Sequence, residues 1–146
     1  MSGGLEAMYQ ELILDHAKTP EGKGDPSQHP FTHHELNPSC GDEITLGITV
    51  QDDRITGLAW DGQGCSISMS SASIMSGLLM GATRDEAQTR IDQFREMMRS
   101  RGAGEPAEEL EDAAAFQNTA KYVMRVKCAM LAWVALEADL KASRVA

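Results

Sequence analysis

The spacing of apolar residues changes period twice along the chain. Leu5, Met8, Leu12 and Ile13 recur at helical spacing with polar residues between them, so residues 4–17 are expected to form an amphipathic helix. Thr19-Pro20-Glu21-Gly22-Lys23-Gly24-Asp25-Pro26 is dense in turn formers and predicts a loop. The period then falls to two: Ile44, Leu46, Ile48 and Val50 alternate, as do Ile55, Gly57 and Ala59. This alternation predicts antiparallel strands over 43–51 and 54–61, joined by a turn at Gln51-Asp52-Asp53, with a further strand before Asn37.

After Cys65 the helical period returns. Ile67, Ile74, Leu78 and Leu79 predict a helix over 66–80, stopped by Gly81. Thr83-Arg84-Asp85-Glu86 has the spacing of a capping box and opens a helix that should reach Ser100. The run Arg101-Gly102-Ala103-Gly104-Glu105-Pro106 breaks it, and the acidic stretch Glu105 to Asp112 reads as a solvated loop or short helix. A final helix is expected over 118–142, with Val123, Val126, Met130, Leu131, Val134 and Leu140 on its buried face. The order of one helix, a small antiparallel sheet and then a layer of helices is an α+β fold, and 146 residues suit a single domain, 1–146.

Composition narrows the function classes. With 13 basic and 22 acidic residues the net charge is -9, which repels phosphate backbones and anionic lipid and argues against nucleic acid as the main partner. Met1 to Gln10 has neither a basic n-region nor a long apolar stretch, so no secretory signal is expected, and no segment approaches membrane-spanning length. A cytoplasmic location with reduced thiols follows as the expectation, and the three cysteines then point to metal binding or thiol chemistry rather than a disulfide framework.

Those cysteines are Cys40, Cys65 and Cys128, in Asn37-Pro38-Ser39-Cys40-Gly41-Asp42, Gly62-Gln63-Gly64-Cys65-Ser66-Ile67-Ser68 and Arg125-Val126-Lys127-Cys128-Ala129. A single buried cysteine is usually a small apolar filler. Here each lies beside glycine or a charge, outside any apolar run, and Asp42 adds a carboxylate. Three thiolates and one carboxylate suit tetrahedral zinc, although none of the spacings is the short Cys-x-x-Cys of a zinc motif. Such a site is anionic and needs a nearby cation; Arg125, three residues before Cys128 on a helix, is the candidate, whereas Lys127 is turned aside.

Together with Met8-Tyr9-Gln10-Glu11 and Ile13-Leu14-Asp15-His16, these segments resemble the SufU branch of the IscU-like iron–sulfur assembly family. The resemblance spans nearly the whole chain. Lys127 stands where IscU has a histidine, and 62 residues between Cys65 and Cys128 exceed the IscU interval, which places an extra stretch around 95–117. The resemblance implies zinc held by Cys40, Asp42, Cys65 and Cys128, a SufS-type cysteine desulfurase as partner and downstream Suf assembly proteins as recipients. It also implies that Cys40 accepts persulfide sulfur, freed when a desulfurase histidine takes its place on the metal. An iron–sulfur cluster in place of zinc is the alternative, with the chain as a scaffold; a purely structural zinc in an interaction module is a third reading. Thr19-Pro20-Glu21-Gly22 departs from the Pro-Arg-Asn common in the family, and Val123-Met124 from a Pro-Ala pair; both bear on docking rather than on the ligands.

Other residues invite simpler readings. His33 and His34 are adjacent in an expected strand, so they face opposite ways and cannot readily share an ion. His16 and Tyr9 are equally suited to partner contact and to a solvated face. The nine methionines, Trp60 and Trp133 are expected to fill or anchor the core.

Overall fold

The computed structural model describes residues 2–39 and 41–145. Helix α1 (Ser2–Lys18) leads into a loop and then into strands β1 (Phe31–Asn37), β2 (Asp42–Gln51) and β3 (Arg54–Gln63). The strands form an antiparallel sheet in the order β1-β2-β3, with Asn37 opposite Asp42 at one end and Leu46 opposite Trp60 near the middle. The hairpin between β2 and β3 turns through Asp52 and Asp53, both at positive φ (51° and 65°), the backbone of a tight two-residue turn whose twist suits the strands. Aspartate tolerates this conformation because its short polar side chain offsets part of the steric cost. All three expected strands are therefore present, at nearly the expected bounds.

Helix α2 (Ser66–Leu79) follows, then α3 (Arg84–Arg99), opened by a complete capping box. Thr83 Oγ1 accepts the Glu86 N–H at 3.1 Å, and the Thr83 N–H donates to Glu86 Oε1 at 2.9 Å. A 3-10 segment over Glu108–Gln117, broken at Glu111 (φ 47°, ψ -121°), and a short 3-10 helix, Thr119–Lys121, lead to α4 (Val123–Val145). The final helix therefore starts at 123 rather than 118 and runs past 142. Tyr122 is extended (φ -117°, ψ 107°) and separates α4 from the preceding turn, while its carbonyl accepts the N–H groups of Arg125 and Val126, both at 3.0 Å.

One face of the sheet carries Ile44, Leu46, Ile48, Ile55 and Trp60, all at or below 1% exposure, and α4 packs across β1 and β2. Phe94 of α3 stacks on Trp133 of α4 with centroids 4.1 Å apart, and Phe116 meets Phe94 edge-on at 6.0 Å. The 108–117 segment thus enters the core through Leu110, Ala113, Ala115 and Phe116 while its carboxylates stay outside. Both tryptophans are buried with satisfied N–H groups: Trp60 Nε1 donates to the Glu21 carbonyl at 2.8 Å and Trp133 Nε1 to Ser71 Oγ at 2.9 Å.

Three expectations about apolar residues need correction, the first on α4, where Val123, expected on the buried face, is half exposed. On α1, Ile13 is buried and Leu12 packs against the core, but Leu5 and Met8 are exposed. Met75, Met97 and Met98 fill the core as expected, whereas Met8, Met80 and Met124 lie on the surface. His16 is anchored rather than free, with Nδ1 2.7 Å from Ser73 Oγ.

Candidate metal centre

Asp42 is the first residue of β2, held opposite Asn37 by the ladder and only 5% exposed. The connection between β1 and β2 closes tightly. The Gly41 N–H donates to the Asn37 carbonyl at 2.8 Å, the Ser39 N–H donates to Asn37 Oδ1 at 3.1 Å, and Gly41 adopts φ +75°, a left-handed conformation that favours glycine. Cys40, in this connection, lies outside the described residues.

Cys65 is the N-cap residue of α2, just beyond the end of β3. Its N–H donates to Asp42 Oδ1 at 3.3 Å, and its Sγ lies 3.2 Å from Asp42 Oδ2. Gly64, immediately before it, passes so close to the carboxylate that an added β-carbon would stand 2.8 Å from Asp42 Cγ. That approach accounts for a glycine at this position.

Cys128 lies in the second turn of α4 and is buried at 6% exposure. The side-chain ligand atoms of Asp42, Cys65 and Cys128 all lie within 4.8 Å of one another. Three elements far apart in sequence therefore converge on one point: the start of β2, the start of α2 and the second turn of α4.

The electrostatics match the geometry. Burial pushes the Asp42 carboxyl up, but hydrogen bonds from Ser68, from the Cys65 side chain and N–H, and from Cys128 outweigh it and hold the carboxyl below its ordinary value. The carboxylate is thus kept ionised, the form a metal requires. A zinc–sulfur bond of about 2.3 Å sets neighbouring tetrahedral ligand atoms about 3.7 Å apart. Two sulfurs and one carboxylate oxygen within 4.8 Å are the right donors at nearly that spacing, so these residues fit zinc.

Arg125, three residues before Cys128 on α4, is exposed. Its guanidinium lies 4.9 Å above the Tyr122 ring and lines a cavity of about 260 Å³ together with Tyr9, Ile67 and Ser66, the residue after Cys65. Among the described residues it makes no ion pair or hydrogen bond with Asp42. Lys127 is exposed, as expected for a side chain turned away from Cys128. His33 and His34 do not join the site; His33 Nε2 is 2.7 Å from Glu35 Oε1.

Ser68 is the residue the motif reading passed over. Its buried hydroxyl donates to Asp42 Oδ2 at 2.5 Å. Its place three residues after Cys65, on the same helical face, is the signal that could have found it.

The chain is similar to known proteins along most of its length. Residues 8–139 match the NifU-like N-terminal domain. The iron–sulfur cluster assembly scaffold protein IscU of Streptococcus pyogenes is 36% identical over 140 residues, covering 95% of this chain and 86% of the relative. The zinc-dependent sulfurtransferase SufU of Bacillus subtilis is 35% identical over 136 residues, covering 93% and 91%. A crystal structure from Fervidobacterium islandicum, described as an assembly scaffold for the SUF system, superposes with a TM-score of 0.82 at 32% identity, covering 89% of this chain and 94% of the other. The chain belongs to the NifU-like N-terminal domain family, alongside the IscU and SufU proteins it resembles.

Proposed function

We propose that this chain is a zinc-dependent sulfur acceptor for iron–sulfur cluster assembly, taking persulfide sulfur from a SufS-type cysteine desulfurase. The convergence of Asp42, Cys65 and Cys128 carries this reading, because it supplies three ligands of one zinc. Cys40, two residues before Asp42 in sequence, is the proposed fourth ligand and the acceptor. Zinc, when bound, keeps its thiolate ligands deprotonated and screens their charge.

The chain's own part in the transfer is nucleophilic. The Cys40 thiolate attacks the terminal sulfur of the desulfurase persulfide, the partner's S–S bond breaks, and the desulfurase cysteine leaves as a thiolate. The new S–S bond leaves the sulfur on Cys40 for delivery to downstream Suf assembly proteins, with no net oxidation or reduction. Asp42, Cys65 and Cys128 stay in place and hold the centre together. Arg125, which lines one cavity with Ser66, the neighbour of Cys65, is the proposed source of positive charge for an anionic site. Reduced thiols suit the cytoplasm.

Lys127 supports sulfur transfer over cluster scaffolding, since a histidine there would add a cluster ligand. The scaffold reading is favoured by the name of the Streptococcus pyogenes relative. Metal analysis and desulfurase assays separate the two. The purified chain is expected to carry about one zinc and to raise sulfide release by its desulfurase, and Cys40→Ala is expected to abolish that stimulation while leaving the chain folded. Normal stimulation by the variant defeats the acceptor role. A stable, oxygen-sensitive brown cluster without zinc supports the scaffold, and unfolding on loss of any ligand supports a purely structural zinc.

A further inference from the structure

Helix α2 carries five serines between Ser68 and Ser76, and all five are buried. Ser70 and Ser76 bond carbonyls of their own helix, at Ser66 (2.6 Å) and Ala72 (2.7 Å), the usual recourse of a serine inside a helix. Ser71 reaches α4 at the Ala129 carbonyl, and Ser73 joins His16 and the Glu21 N–H. Ser68 alone among them meets the metal centre, donating to Asp42 Oδ2 at 2.5 Å with its oxygen 3.6 Å from Cys65 Sγ.

We propose that Ser68 is a positioning residue for the metal centre, holding the Asp42 carboxylate between the two cysteines. This inference rests on the zinc reading above. Asp42 stands at a strand end and its carboxylate can rotate about two bonds. Oδ1 is held by the Cys65 N–H, while Oδ2 takes the Ser68 hydroxyl and lies beside the Cys65 sulfur. Ser68 is 1% exposed and fixed in the first turn of a 14-residue helix, so its hydroxyl is a rigid, dry donor that water cannot readily replace. A ligating carboxylate oriented in this way pays less entropy when it takes the metal, and hydrogen bonds of this kind typically govern about 10- to 100-fold in metal affinity.

The test is competition for zinc against a chromophoric chelator, using the full chain. Ser68→Ala is expected to weaken zinc by about 10- to 100-fold. In an Asp42→Ala background the same change is expected to add no further loss, because the hydroxyl acts through that carboxylate. With cobalt(II) in place of zinc, Ser68→Ala should shift the visible ligand-field bands. Unchanged affinity, or an equal loss in both backgrounds, overturns the inference alone. A parent chain that holds no zinc overturns the metal reading and this inference with it. If the alanine variant does not fold, Ser68→Thr and Ser68→Val decide, since they match in shape and differ in the hydroxyl. Threonine must hold zinc more tightly than valine, and equal affinities overturn the proposal.

Discussion

Gly64 and Asp42 touch across the junction of β3 and α2: a β-carbon on Gly64 would lie 2.8 Å from Asp42 Cγ and 3.0 Å from Oδ1. Those distances are shorter than van der Waals contact allows, so any side chain at 64 must displace the carboxylate or the turn that carries Cys65. Asp42 is in turn tied to Ser68 and Cys65, so displacing it disturbs those bonds.

Gly64→Ala is therefore expected to leave the fold largely intact and to damage the metal centre. The measurement is zinc stoichiometry beside far-ultraviolet circular dichroism. Weakened zinc with a native spectrum is the expected outcome, and full zinc retention would show that the turn yields without disturbing Asp42.

A second prediction concerns the ion pair that joins α3 to α4. Arg95 Nη2 donates to Glu137 Oε1 at 2.7 Å, and Gln88 Nε2 donates to Glu137 Oε2 at 2.8 Å. Burial pushes the Glu137 carboxyl up, but hydrogen bonds from Arg95 and Gln88 and the Arg95 charge outweigh it and lower its pKa below the ordinary 4.5. A lowered folded pKa means stability that is present above the unfolded value and lost as pH falls through the folded one. Arg95→Ala should cost about 1–2 kcal/mol at neutral pH, between the values for exposed and buried pairs. That deficit should shrink below pH 4.5. Urea unfolding of parent and variant at several pH values checks it, and a deficit independent of pH would assign the loss to packing of the arginine stem.

Asp139 gives the opposite slope. It lies on α4 at 1% exposure, and neither carboxylate oxygen has a hydrogen-bond partner among the described residues. Burial raises its pKa from 3.8 to about 8, so the folded chain holds it neutral at pH 7 while the unfolded chain ionises it. The folded state then binds the extra proton, and stability falls as pH rises from 3.8 to about 8, with no further change above. Asp139→Asn removes this loss. At pH 7.5 the variant should be more stable by at least about 1 kcal/mol, one pKa unit being worth about 1.4 kcal/mol. Thermal unfolding of both chains at pH 5 and pH 8 measures it, and a variant advantage that does not grow with pH contradicts the assignment.

Much of the chain was legible without coordinates because local interactions govern it. The capping box at Thr83 and Glu86 is satisfied within one helical turn, and the alternation of Ile44, Leu46 and Ile48 needs only a strand with one buried face. The residue types that could hold a metal were legible too, since thiolates beside glycine or charge suit a metal better than a core.

Other features depended on residues distant in sequence. Helical spacing places Leu5 and Met8 near Ile13 but does not reveal that both stay exposed while Ile13 is buried. The pattern through 118–122 continues a helix, yet Tyr122 turns extended where the chain enters α4. Asp139 carries no local signal of burial in the sequence, yet it is 1% exposed. The sequence by itself determined most helix and strand positions, the capping box of α3 and which side chains could bind a metal, because those follow from neighbours a few residues apart. Only the tertiary structure decided that Asp42, Cys65 and Cys128 meet, and that Ser68 holds the carboxylate among them, because that meeting depends on how β2, α2 and α4 pack.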